Sequence, residues 1–401
     1  VLILDFIQSK GILEKRNHVI IVCAAGKGHL AGKNERKACK VHRWEPNMKF
    51  TADEKYVKVM GRTLWYDNTR YLNYSCAAIE FTFTGTYAEA VLWTDSGNYE
   101  DKLKAWVAVF VDDEEIPSKR FPLLQEEETY VLYKGSEVKE TRIRLVKYSE
   151  VAFGRVGIKE IITDSEVLPT PGNASERKLE FIGDSITCGY GNEGIWNTDI
   201  FHTEQENPWE AYAALTARNL QADYHLISWS GIGIISNWTD QEEPNADWLM
   251  PDMYPYTDKA ADLAFKKQAP EVWDHKKYTP HCIIINLGTN DSSYTKGVAE
   301  RIGDFGREYY RFVKAVRGLN PGARILCTLG AMGQELYPEV ERQVELLRRE
   351  GDKDIYSMAF EVQKEEDGIG SDWHPSKVTH KKMADKLTNE IRKIMNWQQA
   401  M

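Results

Sequence analysis

The chain has 401 residues, of which 42% are hydrophobic and 28% charged, and a formal net charge of −10. That length and balance fit a soluble globular protein of two domains. The acidic surplus, with no clustered Lys and Arg, argues against a nucleic-acid partner. No uninterrupted apolar stretch approaches the ~18 residues of a membrane span, so no membrane partner is expected. Six cysteines, Cys23, Cys39, Cys76, Cys188, Cys282 and Cys327, are spread without CxxC pairing. They read as free thiols, neither a disulfide framework nor a zinc site, and no metal is expected.

Residues 1–40 read as a leader of uncertain structure. VLILDFIQSKGILEKRN has no basic segment ahead of its apolar residues and no small-residue cleavage site, so no signal peptide is expected. The chain begins at Val1, and its compartment, cytoplasmic or secreted, is left open. Within the leader, HVIIVCAAGKGHLAGK carries Gly26, Gly28 and Gly32 in a GxGxxxG spacing. A phosphate loop would need Gly in place of Lys27, Ser or Thr in place of Asn34, and a following βαβ unit, so the nucleotide reading is set aside.

Residues 41–164 change to short β-branched and aromatic runs such as AAIEFTFTG, KAWVAVFVDD and TRIRLVKY, several alternating with period two. This spacing predicts an antiparallel β-sandwich. Residues 165–177, rich in Pro, Gly and Ser, read as a linker. From residue 178 to 401, strand-length apolar runs (LEFIGD, YHLISWS, HCIIINLG, ARILCTLG, IYSMAFEV) alternate with amphipathic helices. Such alternation predicts a parallel sheet covered on both faces, with ligands outside the carboxyl ends of its strands.

Four of the segments end in polar or glycine-rich turns: Gly183-Asp184-Ser185, Ser230-Gly231-Ile232-Gly233, Gly288-Thr289-Asn290-Asp291 and Ser371-Asp372-Trp373-His374-Pro375. In a parallel sheet all four gather on one rim. Ser185, at a strand-to-helix turn, is the candidate nucleophile, and His374 the candidate base. The Ser185 and Gly231 backbone N–H groups and the Asn290 amide can meet an oxyanion. Each residue also has a plainer reading: Ser185 as a helix N-cap, Asn290-Asp291 as a turn. Asp184 is expected to hold its turn, and Asp291 to be structural.

In order, GDSITCGYG, the Gly231 turn, GTND and DWHP resemble the four blocks of the SGNH (GDSL-type) hydrolases. With the preceding sandwich, the chain from about residue 41 to 401 is similar to the carbohydrate esterase family 2 acetyl esterases. The resemblance implies a three-layer, flavodoxin-like parallel-sheet domain preceded by an antiparallel β-sandwich of jelly-roll type. It implies removal of O-acetyl groups from carbohydrates such as xylan, with an acetylated carbohydrate as partner, no cofactor, and an oligomeric state left open. Ser185 would be the nucleophile, His374 the base, and Ser185, Gly231 and Asn290 the oxyanion hole.

The acid usual three residues before the histidine is replaced by Ser371, and Asp372 stands two before. Asp372 is taken as the third catalytic residue, with backbone carbonyls as the alternative way of orienting His374. Trp196, Trp238, Tyr254 and Trp373 are expected to contact substrate. Other readings are a GDSL lipase or thioesterase for longer acyl chains, and an inactive carbohydrate-binding protein.

Overall fold

The computed structural model describes residues 48–397 together with a short antiparallel strand pair, Val19–Ile20 against His42–Arg43. The rest of the predicted leader, with its glycine spacing, lies outside the described residues.

The first half is antiparallel, as the period-two runs require, with ten strands hydrogen-bonded into one continuous sheet. Its two long strands explain how one sheet makes two layers. Along Ala78–Thr94 the core-facing residues are Ile79, Phe81 and Phe83, then Ala88, Ala90 and Leu92. Inward positions are odd before Gly85 and even after it, so an irregularity has been inserted that turns the strand. Its partner Glu127–Lys147 breaks register at the same place: Ala78–Gly85 pairs with Lys139–Val146, and Tyr87–Trp93 with Glu127–Lys134. Both halves close on a single core that includes Phe81, Leu92, Val109, Leu145 and Ile158. The segment read as a linker is partly docked, because Thr170–Pro171 pairs with Phe81 and Thr82.

The second half is a five-stranded parallel sheet. Across the sheet the order is Ala222–Ser228, Arg177–Gly183, Cys282–Asn286, Arg324–Ala331, Ile355–Val362, or 2-1-3-4-5 in chain order. The central stretches of the strands are mostly apolar because both faces are covered. Leu179 and Phe181 pack with helices Tyr212–Asn219 and Lys377–Met395 on one side. Ile182, Ile283 and Ile285 pack with Ala299–Leu319 and Tyr337–Arg349 on the other. Strand order reverses between Arg177–Gly183 and Cys282–Asn286, which opens a crevice at their carboxyl ends. Ser185 and Asn290 follow those two strands directly.

The halves share a core. Met60, Ala78, Phe110 and Val146 of the sandwich join the cluster around Phe181 and Tyr212. Phe110 lies 4.4 Å from the Trp209 ring, whose Nε1–H donates to the Glu115 carbonyl at 2.9 Å. Arg62 crosses the boundary fully buried, donating to the Tyr254 and Tyr256 carbonyls and pairing with Glu180 at 3.3 Å. No helix among the described residues is long and apolar enough to cross a membrane. Cys76, Cys188, Cys282 and Cys327 are free and buried, while Cys23 and Cys39 lie outside the described residues.

Candidate active site

The strand Arg177–Gly183 ends where Asp184 turns the chain into the single helical turn Ser185–Cys188. Asp184 is buried, and its Oδ1 accepts the Ile186 N–H at 3.0 Å, the turn-holding role expected of it. Burial, reinforced by Asp291 and Glu150, pushes its carboxyl up to about 7. The Ser185 hydroxyl faces His374, with Oγ and Nε2 2.8 Å apart.

His374 follows a short 3-10 turn, Ser371–Trp373, in which two successive residues, Asp372 and Trp373, have left-handed φ of 50° and 65°. Such angles are unfavourable for side chains other than Asn, Asp and Gly. Here they aim two carbonyls at one ring nitrogen: His374 Nδ1 lies 3.2 Å from the Ser371 oxygen and 3.1 Å from that of Asp372. Carbonyls only accept, so Nδ1 carries the proton and the Nε2 lone pair is left for Ser185. Burial pulls the His374 pKa down to about 4, although the carbonyls and the Asp372 charge favour its protonated form.

The Asp372 carboxylate points elsewhere, accepting the Tyr190 hydroxyl at 2.9 Å. The expected carboxylate–histidine contact is therefore replaced by a backbone one, because the left-handed turn presents the main chain of Asp372 to the ring and sends its side chain outward. Tyr190 is stacked on Phe201 at 3.8 Å and lies 4.5 Å from the His374 ring. Gly191 lets this loop close on the nucleophile loop: it has φ +60°, and a Cβ there would stand 2.8 Å from that of Ser371.

The Ser185 and Gly231 N–H groups donate to no described residue. Gly231, at φ +79°, sits in the turn after strand Ala222–Ser228. The Asn290 amide donates to the Ile232 carbonyl at 2.8 Å and approaches Asp184 Oδ2 at 3.4 Å. Asp291, buried beside it, accepts the N–H groups of Ile234, Ile235 and Ser236 at 2.7–3.1 Å. Its structural part is thus to clamp the segment that follows Gly231.

Of the aromatic residues expected at substrate, Trp238 is 60% exposed and, with Trp229, Gly231 and Trp248, lines a cavity of about 340 Å³. Trp196 and Trp373 form an exposed edge-to-face pair, 5.4 Å apart, beside the His374 loop. Tyr254, expected at substrate, faces the core instead. It is 1% exposed, packed against Phe312, with its hydroxyl on Glu180 at 2.7 Å. A phenol with a buried carboxylate partner is held in the core and offers no face to a sugar. Two residues near the site were not singled out from sequence: Tyr190, inside the GYG run, and Glu150, from the sandwich, which accepts the Ser230 N–H at 2.7 Å. Tyr190 lies within the GDSITCGYG block without a role read for it, and Glu150 lies in no motif.

Residues 181–381 match the model of the GDSL-like lipase/acylhydrolase family, and residues 59–171 that of the carbohydrate esterase 2 N-terminal domain. The acetylxylan esterase / glucomannan deacetylase of Cellvibrio japonicus is 30% identical over 350 residues, covering 86% of this chain and 91% of that protein. The chain belongs to the GDSL-like lipase/acylhydrolase family. This GDSL-type chain is also 35% identical over 329 residues to the cellulase/esterase CelE of Acetivibrio thermocellus. That match takes in 81% of this chain and 38% of CelE, so the chain spans well under half the length of that relative. A family two carbohydrate esterase from Clostridium thermocellum, solved in complex with cellohexaose, superposes with a TM-score of 0.75 at 33% identity. That superposition covers 85% of the GDSL-type chain and 100% of the other.

Proposed function

We propose that this chain is a serine esterase that removes O-acetyl groups from a carbohydrate, with Ser185 as nucleophile and His374 as its only side-chain partner. The observation that carries the reading is the 2.8 Å contact between Ser185 Oγ and His374 Nε2, with the Ser185 and Gly231 N–H groups donating to no backbone acceptor among the described residues. Nε2 takes the Oγ proton as Oγ bonds to the acetyl carbonyl carbon. The tetrahedral oxyanion is met by the Ser185 and Gly231 N–H groups and by Asn290, whose long contact to Asp184 is the one it displaces. The C–O bond to the sugar breaks, and Nε2 returns the proton to the departing hydroxyl. Water, deprotonated by Nε2, then attacks the acetyl-enzyme, and acetate leaves as Ser185 recovers its proton.

A sugar acceptor is supported by the exposed Trp196, Trp238 and Trp373 around the rim, and by relatives named as acetylxylan esterases and glucomannan deacetylases. A small acyl group is supported by the same relatives' names. The test is acetate release from acetylated xylan, mannan and gluco-oligosaccharides by the wild type and Ser185→Ala. Release by the wild type alone is expected. The acetyl reading is overturned if p-nitrophenyl octanoate is hydrolysed more efficiently than p-nitrophenyl acetate, and the enzymatic one if Ser185 does not react with a fluorophosphonate probe.

A further inference from the structure

We infer that Glu150, a residue of the sandwich half, is a positioning residue that sets the spacing of the oxyanion hole. It lies in the segment between strands Glu127–Lys147 and Val156–Thr163 and is fully buried. One oxygen, Oε2, makes two contacts across the domain boundary. It accepts the Ser230 N–H at 2.7 Å, immediately before Gly231, and lies 3.7 Å from Cys188 Sγ, in the helical turn that begins at Ser185; that sulfur also sits 3.3 Å from Ser228 Oγ. A single carboxylate therefore ties together the two peptide segments whose N–H groups converge on the reacting carbonyl.

Glu150 is itself held. Its N–H donates to Glu206 Oε2 at 3.1 Å, and its carbonyl accepts the buried Lys147 ammonium at 2.8 Å. Lys147 also donates to the Ser149 carbonyl. Glu150, Cys188 and Glu206 present their ligand atoms within 4.8 Å of one another, and the neighbouring Lys147 supplies a cation to this cluster. Burial raises the Glu150 and Glu206 carboxyls and lowers Lys147 to about 8, the cost of keeping these groups dry.

The inference rests on the oxyanion reading of Ser185 and Gly231, and two substitutions separate positioning from charge balance. Glu150→Asp keeps the charge beside Lys147 but is one methylene too short to reach Ser230. Glu150→Gln loses the charge but keeps an oxygen that can accept the Ser230 N–H. Positioning predicts that Asp loses about 10- to 100-fold in kcat with KM nearly unchanged, less than the loss of a whole oxyanion donor, while Gln loses about threefold or less. Affinity for a boronic acid that forms a tetrahedral serine adduct should fall with kcat. If Gln fails to fold, Glu150→Gln with Lys147→Met removes both charges and retains the acceptor.

The inference is overturned if Asp is as active as the wild type, if Asp outperforms both Gln-bearing variants, or if the losses appear in KM alone. Wild-type protein unlabelled by fluorophosphonate would instead overturn the serine-esterase reading. Labelled wild type with the Asp and Gln ranking reversed would remove only the role of Glu150.

Discussion

Replacing Asp372 with Asn removes a carboxylate next to the candidate base while leaving the two carbonyls that hold it. Asn tolerates the left-handed φ of 50° at this position, and its side-chain oxygen can still accept the Tyr190 hydroxyl. What is lost is the attraction between an exposed charge and the imidazolium formed during acylation. An exposed pair is worth about 0.2–1 kcal/mol, so kcat should fall by about 1.4- to 5-fold. Neutralising a carboxylate that directly orients a histidine costs about 10⁴, roughly 5 kcal/mol. Steady-state hydrolysis of p-nitrophenyl acetate and of an acetylated oligosaccharide, at a pH well above the acid limb, measures the difference. A loss of a thousandfold or more, with an intact thermal transition, would refute the assignment of orientation to the backbone. Asp372→Ala should be worse than Asn, because Ala pays about 1 kcal/mol for the left-handed angle.

The acid limb of kcat/KM should fall below the ordinary histidine range, because protonating Nε2 removes the base and burial lowers its pKa to about 4. Activity should persist as pH drops through 6.5 and be lost near 4; a half-point at 6.5 or above contradicts the geometry. Asp291→Ala leaves the Ile234, Ile235 and Ser236 N–H groups without their acceptor. Urea denaturation should register about 2–4 kcal/mol of lost stability together with reduced kcat, and a wild-type midpoint would exclude the clamp. Arg62→Met leaves the buried Glu180 carboxylate with the Tyr254 hydroxyl but no cation, and should cost about 3–5 kcal/mol in urea denaturation. Since both halves share one core, calorimetry should show a single transition in wild type, and two resolved transitions would contradict that packing.

The strands of the parallel sheet were legible because both-face burial writes a mostly apolar run, and the polar ends of those runs identified the rim. Ser185, Gly231, Asn290 and His374 come together there. Tyr254 was misread because an aromatic in a loop carries no mark of which way it faces. Its partner, Glu180, is hidden inside a run, LEFIGD, that otherwise reads as apolar. The orientation of His374 depends on main-chain oxygens aimed by two positive φ angles, and every residue has such an oxygen. The contribution of Glu150 requires knowing that the sandwich meets the Ser230 strand end, a long-range contact with no local signature. The sandwich itself was predicted from alternation, but the change of parity at Gly85 joins its layers into one sheet.

The left-handed pair Asp372–Trp373 joins two tasks in adjacent peptide units. Its carbonyl face steadies His374, and its indole stands against Trp196, with the Trp373 oxygen fastened to Gln363 at 2.7 Å. An exposed indole and the carbonyl that holds His374 Nδ1 thus belong to neighbouring residues of one left-handed turn.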